Sequence, residues 1–336
     1  MLLLNDLKKK LAEQQKIVIT THYKPDGDAL GSSLALYHWL IKYGHEVTLI
    51  VPSDYPSFLS WMPGQEDAII YTSHQEKSDK QIEEADIIFC LDFNHLSRIQ
   101  PMEAVVRKST ALKVMIDHHI GPEDFDDVRL WDYKAAATAQ LVYDFIVNHM
   151  DDRQGISAEI ATSLYTGIMT DTGSFRFPST TAEVHRIIAD LITLGAQNWK
   201  IHEYVFNSST ESRLKFLGFC LLNRLEVIPE YNAAIFAIEA EDLKQFNITT
   251  GDTEGLVNYA LSVSGIRLAA LIIDRTERIK LSLRSVGDIP CNEICSRYFE
   301  GGGHKNAAGG HSKKSLSEVV ATFKSILPEY KNLLTK

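Results

Sequence analysis

Basic residues are in the minority in this 336-residue chain: 34 Lys and Arg stand against 44 Asp and Glu, a formal net charge of −10 at pH 7 with His neutral. That balance excludes a protein that grips long nucleic acid by its backbone, which needs an extended basic surface. Nucleotides and short oligonucleotides stay open, because bound metals and a few placed arginines neutralise one or two phosphates locally. Cysteine is scarce too, with four at positions 90, 220, 291 and 295, and their spacing makes no disulfide framework. Cys291 and Cys295 can share a helix face, where two thiols without a second pair read as buried apolar residues rather than half a zinc site. No apolar run approaches the ~18 residues of a membrane span. The first residues, Met1-Leu2-Leu3-Leu4, pass at once into Asn5, Asp6 and Lys8-Lys9-Lys10, which leaves no apolar core for a signal peptide. The expectation is a cytoplasmic, reduced protein without a membrane partner.

What is present is an average globular composition, 45% hydrophobic and 23% charged, over a length that suits two domains. β-Branched runs at Lys16–Thr21, Val47–Val51, Ala85–Leu91 and Leu112–Ile116 alternate with helical spacing, as from Ala29 to Tyr43 ahead of Gly44. Continuous apolar strands separated by helices predict an α/β domain with a mostly parallel sheet covered on both faces. From Ala135 to about Leu225 the pattern turns mainly helical, over Ala137–Met150, Ser157–Met169, Ala182–Leu194 and Glu211–Leu225. Strand signals return at Ala233–Ile238, Ile266–Ile273 and Arg278–Val286, then a Gly-rich loop at Gly301-Gly302-Gly303-His304 and a closing helix near Leu316–Ile326. The expected division is a first domain over 1–195, a helical linker over 196–225 and a smaller C-terminal α/β domain over 226–336.

Four acidic segments sit beside these elements: His22-Tyr23-Lys24-Pro25-Asp26-Gly27-Asp28, Cys90-Leu91-Asp92, Asp117-His118-His119 and Met169-Thr170-Asp171-Thr172-Gly173. In open α/β sheets ligands bind beyond the carboxyl ends of the strands, and His22, Asp92 and Asp117-His118 all fall there. A lone Asp-Gly-Asp is ordinarily a solvated turn, and a lone His pair ordinarily surface or core; the joint arrangement is what points to metals. Nitrogen and oxygen donors without thiolates suit Mn²⁺, Mg²⁺, Co²⁺ or Fe²⁺ better than structural zinc. Asp26, Asp28, Asp92 and Asp171 carry −4, which two divalent cations cancel, and Asp92 is the best candidate to bridge them. Two adjacent cations activate a water for in-line attack on phosphorus.

These residues resemble the DHH phosphoesterase superfamily over nearly the whole chain. His22-x-x-Pro25-Asp26-Gly27-Asp28-Ala29-x-Gly31-Ser32 looks like its first motif, and Asp92, Asp117-His118-His119 and Asp171 look like the next three. Gly301-Gly302-Gly303-His304-x-x-Ala307-Ala308-Gly309 looks like the signature of its associated C-terminal domain. The resemblance implies His22, Asp26, Asp28, Asp92, His118 and Asp171 as metal ligands, Asp117 as a supporting group, and His119 as a contact to the scissile phosphate. It also implies an active site in the cleft between two domains, with a homodimer as one assembly. Size and the Gly-Gly-Gly-His segment are most similar to the oligoribonuclease and pAp-phosphatase (NrnA-like) branch. The implied substrates are RNA of two to five nucleotides and 3′-phosphoadenosine 5′-phosphate.

In the second domain, glycine backbone N–H groups at 301–303 approach a phosphate closely because no Cβ intervenes. His304 adds an imidazole beside them. Arg284, on an apolar strand, presents a guanidinium suited to bidentate phosphate contact, and Arg267 is a second candidate. Arg275 and Arg278 read as hairpin-turn charges. Other activities compatible with the pattern are cyclic di-AMP or pApA phosphodiesterase and exopolyphosphatase or pyrophosphatase. A nucleotide-sensing protein that keeps the pocket without catalysis is the non-enzymatic alternative.

Overall fold

The computed structural model describes residues 4–249 and 251–336. The chain divides into two compact units, the first ending at Ser208 and the second starting at Ser209. That division falls in the polar Asn207–Thr210 segment, inside the stretch read from sequence as a helical linker.

The first unit runs α1 (Leu4–Lys10), β1 (Lys16–Thr20), α2 (Gly27–Lys42), β2 (Glu46–Val51), β3 (Ile69–Ile70), α3 (Gln75–Glu83), β4 (Ile87–Leu91), α4 (Glu103–Lys108), β5 (Leu112–Asp117) and β6 (Val128–Trp131). Helices α5 (Thr138–Asp144), α6 (Ala158–Asp171), α7 (Ala182–Thr193) and α8 (Asn198–Phe206) follow. The strands form one sheet in the order β3-β2-β1-β4-β5-β6, every neighbouring pair parallel. Alternate residues serve two cores. Ile17, Ile19, Phe89, Leu91, Val114 and Ile116 pack under α2, α5 and α6, whereas Val18, Ile88 and Cys90 pack with Ile82 and Val106 of α3 and α4. Both faces are therefore covered, which is why these strands read as unbroken apolar runs. The strand order reverses between β1 and β4, the place where a doubly wound sheet opens a crevice at its carboxyl ends.

Helix α2 starts at Gly27 with Asp26 as its cap, the Asp26 carboxylate accepting from the N–H groups of Asp28 and Ala29. Asp28 thus lies in the first helical turn and not in a loop. The run read as one helix over 137–150 is α5 followed by a wider helical turn over Phe145–His149. Strands β3 and β6 were not foreseen, since two and four residues are too few to display a period.

The second unit contains α9 (Glu211–Asn223), β7 (Leu225–Ile228), β8 (Ala233–Ile238), α10 (Ala240–Gln245), α11 (Leu256–Leu261), β9 (Leu268–Asp274), β10 (Ile279–Ser285), α12 (Cys291–Tyr298), β11 (Gly302–His304), β12 (Ala307–Ser312) and α13 (Leu316–Ile326). Its sheet order is β11-β12-β10-β9-β8-β7, antiparallel except for the β8–β9 pair. Helices α12 and α13 cover one face through Ile294, Cys295, Val319 and Phe323, packed with Leu281 and Leu283. On the other face Phe216 and Cys220 of α9, with Leu256, Val257 and Ala260 of α11, pack on Ala234, Phe236, Ala269 and Leu271. Among the described residues, that second cluster includes nothing from β10, β12 or β11.

The Gly-rich segment is a correction to the sequence reading. Gly302–His304 is not a loop but an edge strand paired antiparallel with β12. Glycine has poor strand propensity, so the segment reads as a loop, yet close packing demands it: a Cβ on Gly301 would lie 2.0 Å from the Gly309 carbonyl oxygen. All four cysteines are free and buried, and burial pushes the Cys291 thiol up to about 11. No helix among the described residues is long and apolar enough to cross a membrane.

Candidate metal centre

Three neighbouring parallel strands of the sheet, β1, β4 and β5, each lead into a donor. His22 follows β1, Asp92 follows β4 and Asp117-His118-His119 closes β5, while Asp26 and Asp28 open α2 and Asp171 ends α6. Asp92 holds φ at +63°, a left-handed conformation that a non-glycine residue adopts at an energetic cost. Its backbone N–H is nonetheless retained by the Ile116 carbonyl at 3.1 Å. The turn delivers the Asp92 carboxylate to the middle of the cluster. His22 Nε2 lies 3.4 Å from Asp92 Oδ2, and His118 Nε2 lies 3.5 Å from Asp92 Oδ1.

Two donor groups of expected ligands therefore share Asp92, and a third joins it to Asp117 and His119. One comprises His22, Asp26 and Asp92, and the other Asp28, Asp92 and His118, each set lying within 4.8 Å. Asp171 joins the second, with Oδ2 3.4 Å from His118 Nε2. Both imidazoles are oriented for ligation. His22 Nδ1 lies 3.0 Å from the Tyr23 carbonyl, and His118 Nδ1 lies 3.2 Å from the Ala135 carbonyl. A carbonyl only accepts, so each Nδ1 carries the proton and each Nε2 lone pair faces the carboxylates. All six metal-ligand residues expected from the motifs meet here.

Asp117 and His119 stand behind this group. The fully buried Asp117 carboxylate accepts from the His119 N–H at 3.1 Å and lies 2.8 Å from His119 Nδ1. Asp117 thereby fixes the ring of His119. Three groups, two of them backbone N–H groups and one a side chain, were missed from sequence. Asp28 accepts from the backbone N–H groups of Thr138 (2.6 Å) and Ala139 (2.8 Å), and the Thr138 hydroxyl donates to Asp92 Oδ1 at 2.9 Å. The opening of α5 thus clamps two of the donors. Its signal was the small-residue string Ala135-Ala136-Ala137-Thr138-Ala139, which carries no ionisable group to draw attention.

The electrostatics match the chemistry of a cation site. Asp28, Asp92 and Asp117 are at most 2% exposed, and no Lys or Arg ion-pairs with them among the described residues. Buried carboxylates in this state are costly unless a cation is supplied. Burial, reinforced by the charges of Asp92 and Asp171, raises the Asp28 carboxyl well above its ordinary range. Burial also opposes ionisation of Asp92, but the His22 hydrogen bond and the neighbouring His119, His22 and His118 outweigh it and hold Asp92 low. Burial likewise works against protonation of His22, yet Asp92 and Asp26 override it and raise that imidazole. A divalent ion at each donor group would replace those protons. The mixed nitrogen and oxygen set fits hard cations, so the residues present suit the metals that the motifs imply.

Residues 16–168 match the model of the DHH family, N-terminal domain, and residues 231–329 match the DHHA1 domain. The chain is 33% identical to a Thermus thermophilus bifunctional oligoribonuclease and PAP phosphatase NrnA, over 90% of this chain and 86% of that protein. This chain belongs to the DHH family. It is also 25% identical to the Bacillus subtilis protein of the same name, over 97% of this chain and 99% of that one. Among solved structures, an exopolyphosphatase-related protein from Bacteroides fragilis superposes with a TM-score of 0.93 at 42% identity, covering 99% and 98% of the two chains.

The DHHA1 region supplies the remaining candidates. His304 pairs with Ala307 across β11–β12, and Ala307 pairs with Arg284 across β12–β10. Directly opposed residues share a face, so His304 and Arg284 stand in one row with only Ala307 between them, about 10 Å apart along the backbone. That face is opposite the one on which Leu281 and Leu283 pack, and is the part left outside the α9–α11 cluster. Gly302 belongs to the neighbouring row, and a Cβ there would meet nothing within 4 Å. Gly303, with φ at +137°, has Ala307 O 2.7 Å from its would-be Cβ. Arg267 lies elsewhere, its Nη1 donating to the Lys336 carbonyl at 2.9 Å. Arg275 and Arg278 fall in the β9–β10 turn.

Proposed function

We propose that this protein is a metal-dependent phosphoesterase that hydrolyses short oligoribonucleotides to 5′-mononucleotides and 3′-phosphoadenosine 5′-phosphate to AMP. The observation that carries the reading is the shared Asp92 carboxylate, met by His22 on one oxygen and His118 on the other. The named relatives act on oligoribonucleotides and PAP, and they align over at least 86% of their length. Two hard divalent cations, Mn²⁺ by preference, held by His22, Asp26 and Asp92 and by Asp28, Asp92, His118 and Asp171, would supply Lewis acidity and lower the pKa of a bound water. The chain's own residues orient and restrain. Asp117 fixes His119 for contact with the scissile phosphate, Thr138 holds Asp92, and the Tyr23 and Ala135 carbonyls keep both imidazoles in the ligating tautomer. We assign nucleotide recognition to the half-buried His304–Ala307–Arg284 row of the DHHA1 region, with His304, Arg284 and the N–H groups of Gly301–Gly303 as phosphate contacts. Arg267 is a further candidate.

The test is one assay in Mn²⁺ that follows mononucleotide release from pApA and a five-mer RNA, and phosphate release from pAp, pyrophosphate and polyphosphate. Turnover of the oligomers and pAp is expected, with Asp92→Ala lowering kcat about 10³-fold or more while thermal unfolding stays cooperative. Activity on pyrophosphate or polyphosphate alone would move the protein to the polyphosphatase reading, which the name of the Bacteroides relative favours. Nucleotide binding without turnover under any divalent ion would make it a sensor.

A further inference from the structure

We propose that Arg98 is a phosphate-binding residue of the metal centre, placed to hold an oxygen of the phosphate under attack; the proposal rests on the phosphoesterase reading above. Arg98 lies in the 3₁₀ turn Leu96–Ile99, six residues beyond Asp92, and its carbonyl accepts from the Tyr23 N–H at 2.7 Å. That bond ties the turn to the loop bearing His22, so the residue is anchored on the two chain segments that carry His22 and Asp92.

Its side chain is half-buried and makes no hydrogen bond or ion pair among the described residues. The other arginines of this unit are engaged. Arg107 pairs with Glu103 and Glu123, Arg129 with Asp124 and Asp126, Arg153 with Asp190, and Arg186 with Glu183. Arg176 donates through Nε to the Gly173 carbonyl. In a chain with ten more acidic than basic side chains, a guanidinium held out of ion pairs is the exception. Its guanidinium carries a planar fork matched to phosphate. Two divalent cations would neutralise the carboxylates and leave this charge for the incoming anion.

The experiment measures binding of inorganic phosphate to the Mn²⁺-loaded full-length protein by calorimetry, with bound Mn²⁺ counted on the same samples. Arg98→Ala is expected to weaken phosphate about tenfold to a hundredfold, the worth of a charge-assisted hydrogen bond. Arg98→Lys, which keeps the charge but not the fork, is expected to lose less, and both variants retain the wild-type metal stoichiometry. Phosphate affinity within twofold of wild type in Arg98→Ala, or loss of bound Mn²⁺ in both variants, would overturn the assignment. Failure of the wild-type protein to hydrolyse oligonucleotides or pAp would instead remove the substrate reading, while the phosphate titration would still decide Arg98.

Discussion

Asp28 concentrates the tension in this centre. It is 1% exposed, is clamped by two backbone N–H groups, and faces Asp92 and Asp171. Burial and those two carboxylates raise its pKa above the ordinary 3.8, so without metal the folded chain holds a proton that the unfolded chain releases. A group with a raised folded pKa contributes stability that is complete below its unfolded pKa and is lost as pH rises through the folded one. The metal-free protein is therefore expected to lose this contribution as pH climbs from 3.8. Mn²⁺ displaces the proton, so its stabilising effect grows in the same direction. Thermal unfolding with and without Mn²⁺ checks this: the metal-induced rise in Tm should be larger at about pH 8 than at about pH 5, and Asp28→Asn should flatten the difference. An equal rise at both values would place the ion away from Asp28. The ionisable donors were legible in sequence because a carboxylate or imidazole at a strand end advertises itself. Thr138, Ala139 and the Ala135 carbonyl were not, since a backbone amide has no sequence signature. Arg98 escaped for another reason: an arginine in a polar stretch is ordinary until its lack of a carboxylate partner is seen.

Among the helices, α6 fits closely against α2 and α5. A Cβ on Gly167 would stand 2.6 Å from the Ala139 Cβ and 2.9 Å from Asp28 Oδ1, and one on Gly31 would stand 2.6 Å from the Ser163 carbonyl oxygen. Glycine in a helix interior costs about 1 kcal/mol relative to alanine, so Gly167 is retained against propensity to let the helix bearing Asp171 approach the residues that hold Asp28. Gly167→Ala should cost about 1–3 kcal/mol through overpacking, more than the propensity gain returns. The loss should also be deeper in Mn²⁺ than in its absence, because the intruding methyl meets a donor. Chemical denaturation under both conditions measures it, and an unchanged or raised midpoint would show that α6 can shift without consequence. The long apolar strands and α2 were legible because their periods extend over several turns or residues. Edge elements were not. β3 and β6 are too short to show a period, and β11 opens on Gly302 and Gly303, with Gly303, like Gly301 just before the strand, lying against β12.

For the whole molecule, acidity and substrate length belong together. A chain with net charge −10 gains nothing from extra phosphates beyond those it grips locally, so recognition has to come from a few placed groups. Within the DHHA1 region one half-buried row offers two, His304 and Arg284, on either side of Ala307. They sit on strands backed by the cluster of α12 and α13, while the chemistry belongs to donors of the other unit. Groups that bind ground state and transition state alike change KM with little effect on kcat. His304→Ala and Arg284→Ala are therefore expected to raise KM for pAp and for a three-mer RNA by about tenfold each, the worth of a hydrogen bond to a charged group. Their kcat should stay within a fewfold of wild type. The double variant should show less than the product of the two effects if both hold one phosphate, and the full product if they hold different ones. Steady-state kinetics on both substrates separates the cases. Unchanged KM in both single variants would remove the row from substrate recognition and leave Arg267 and the outward N–H groups of β11 as the remaining candidates.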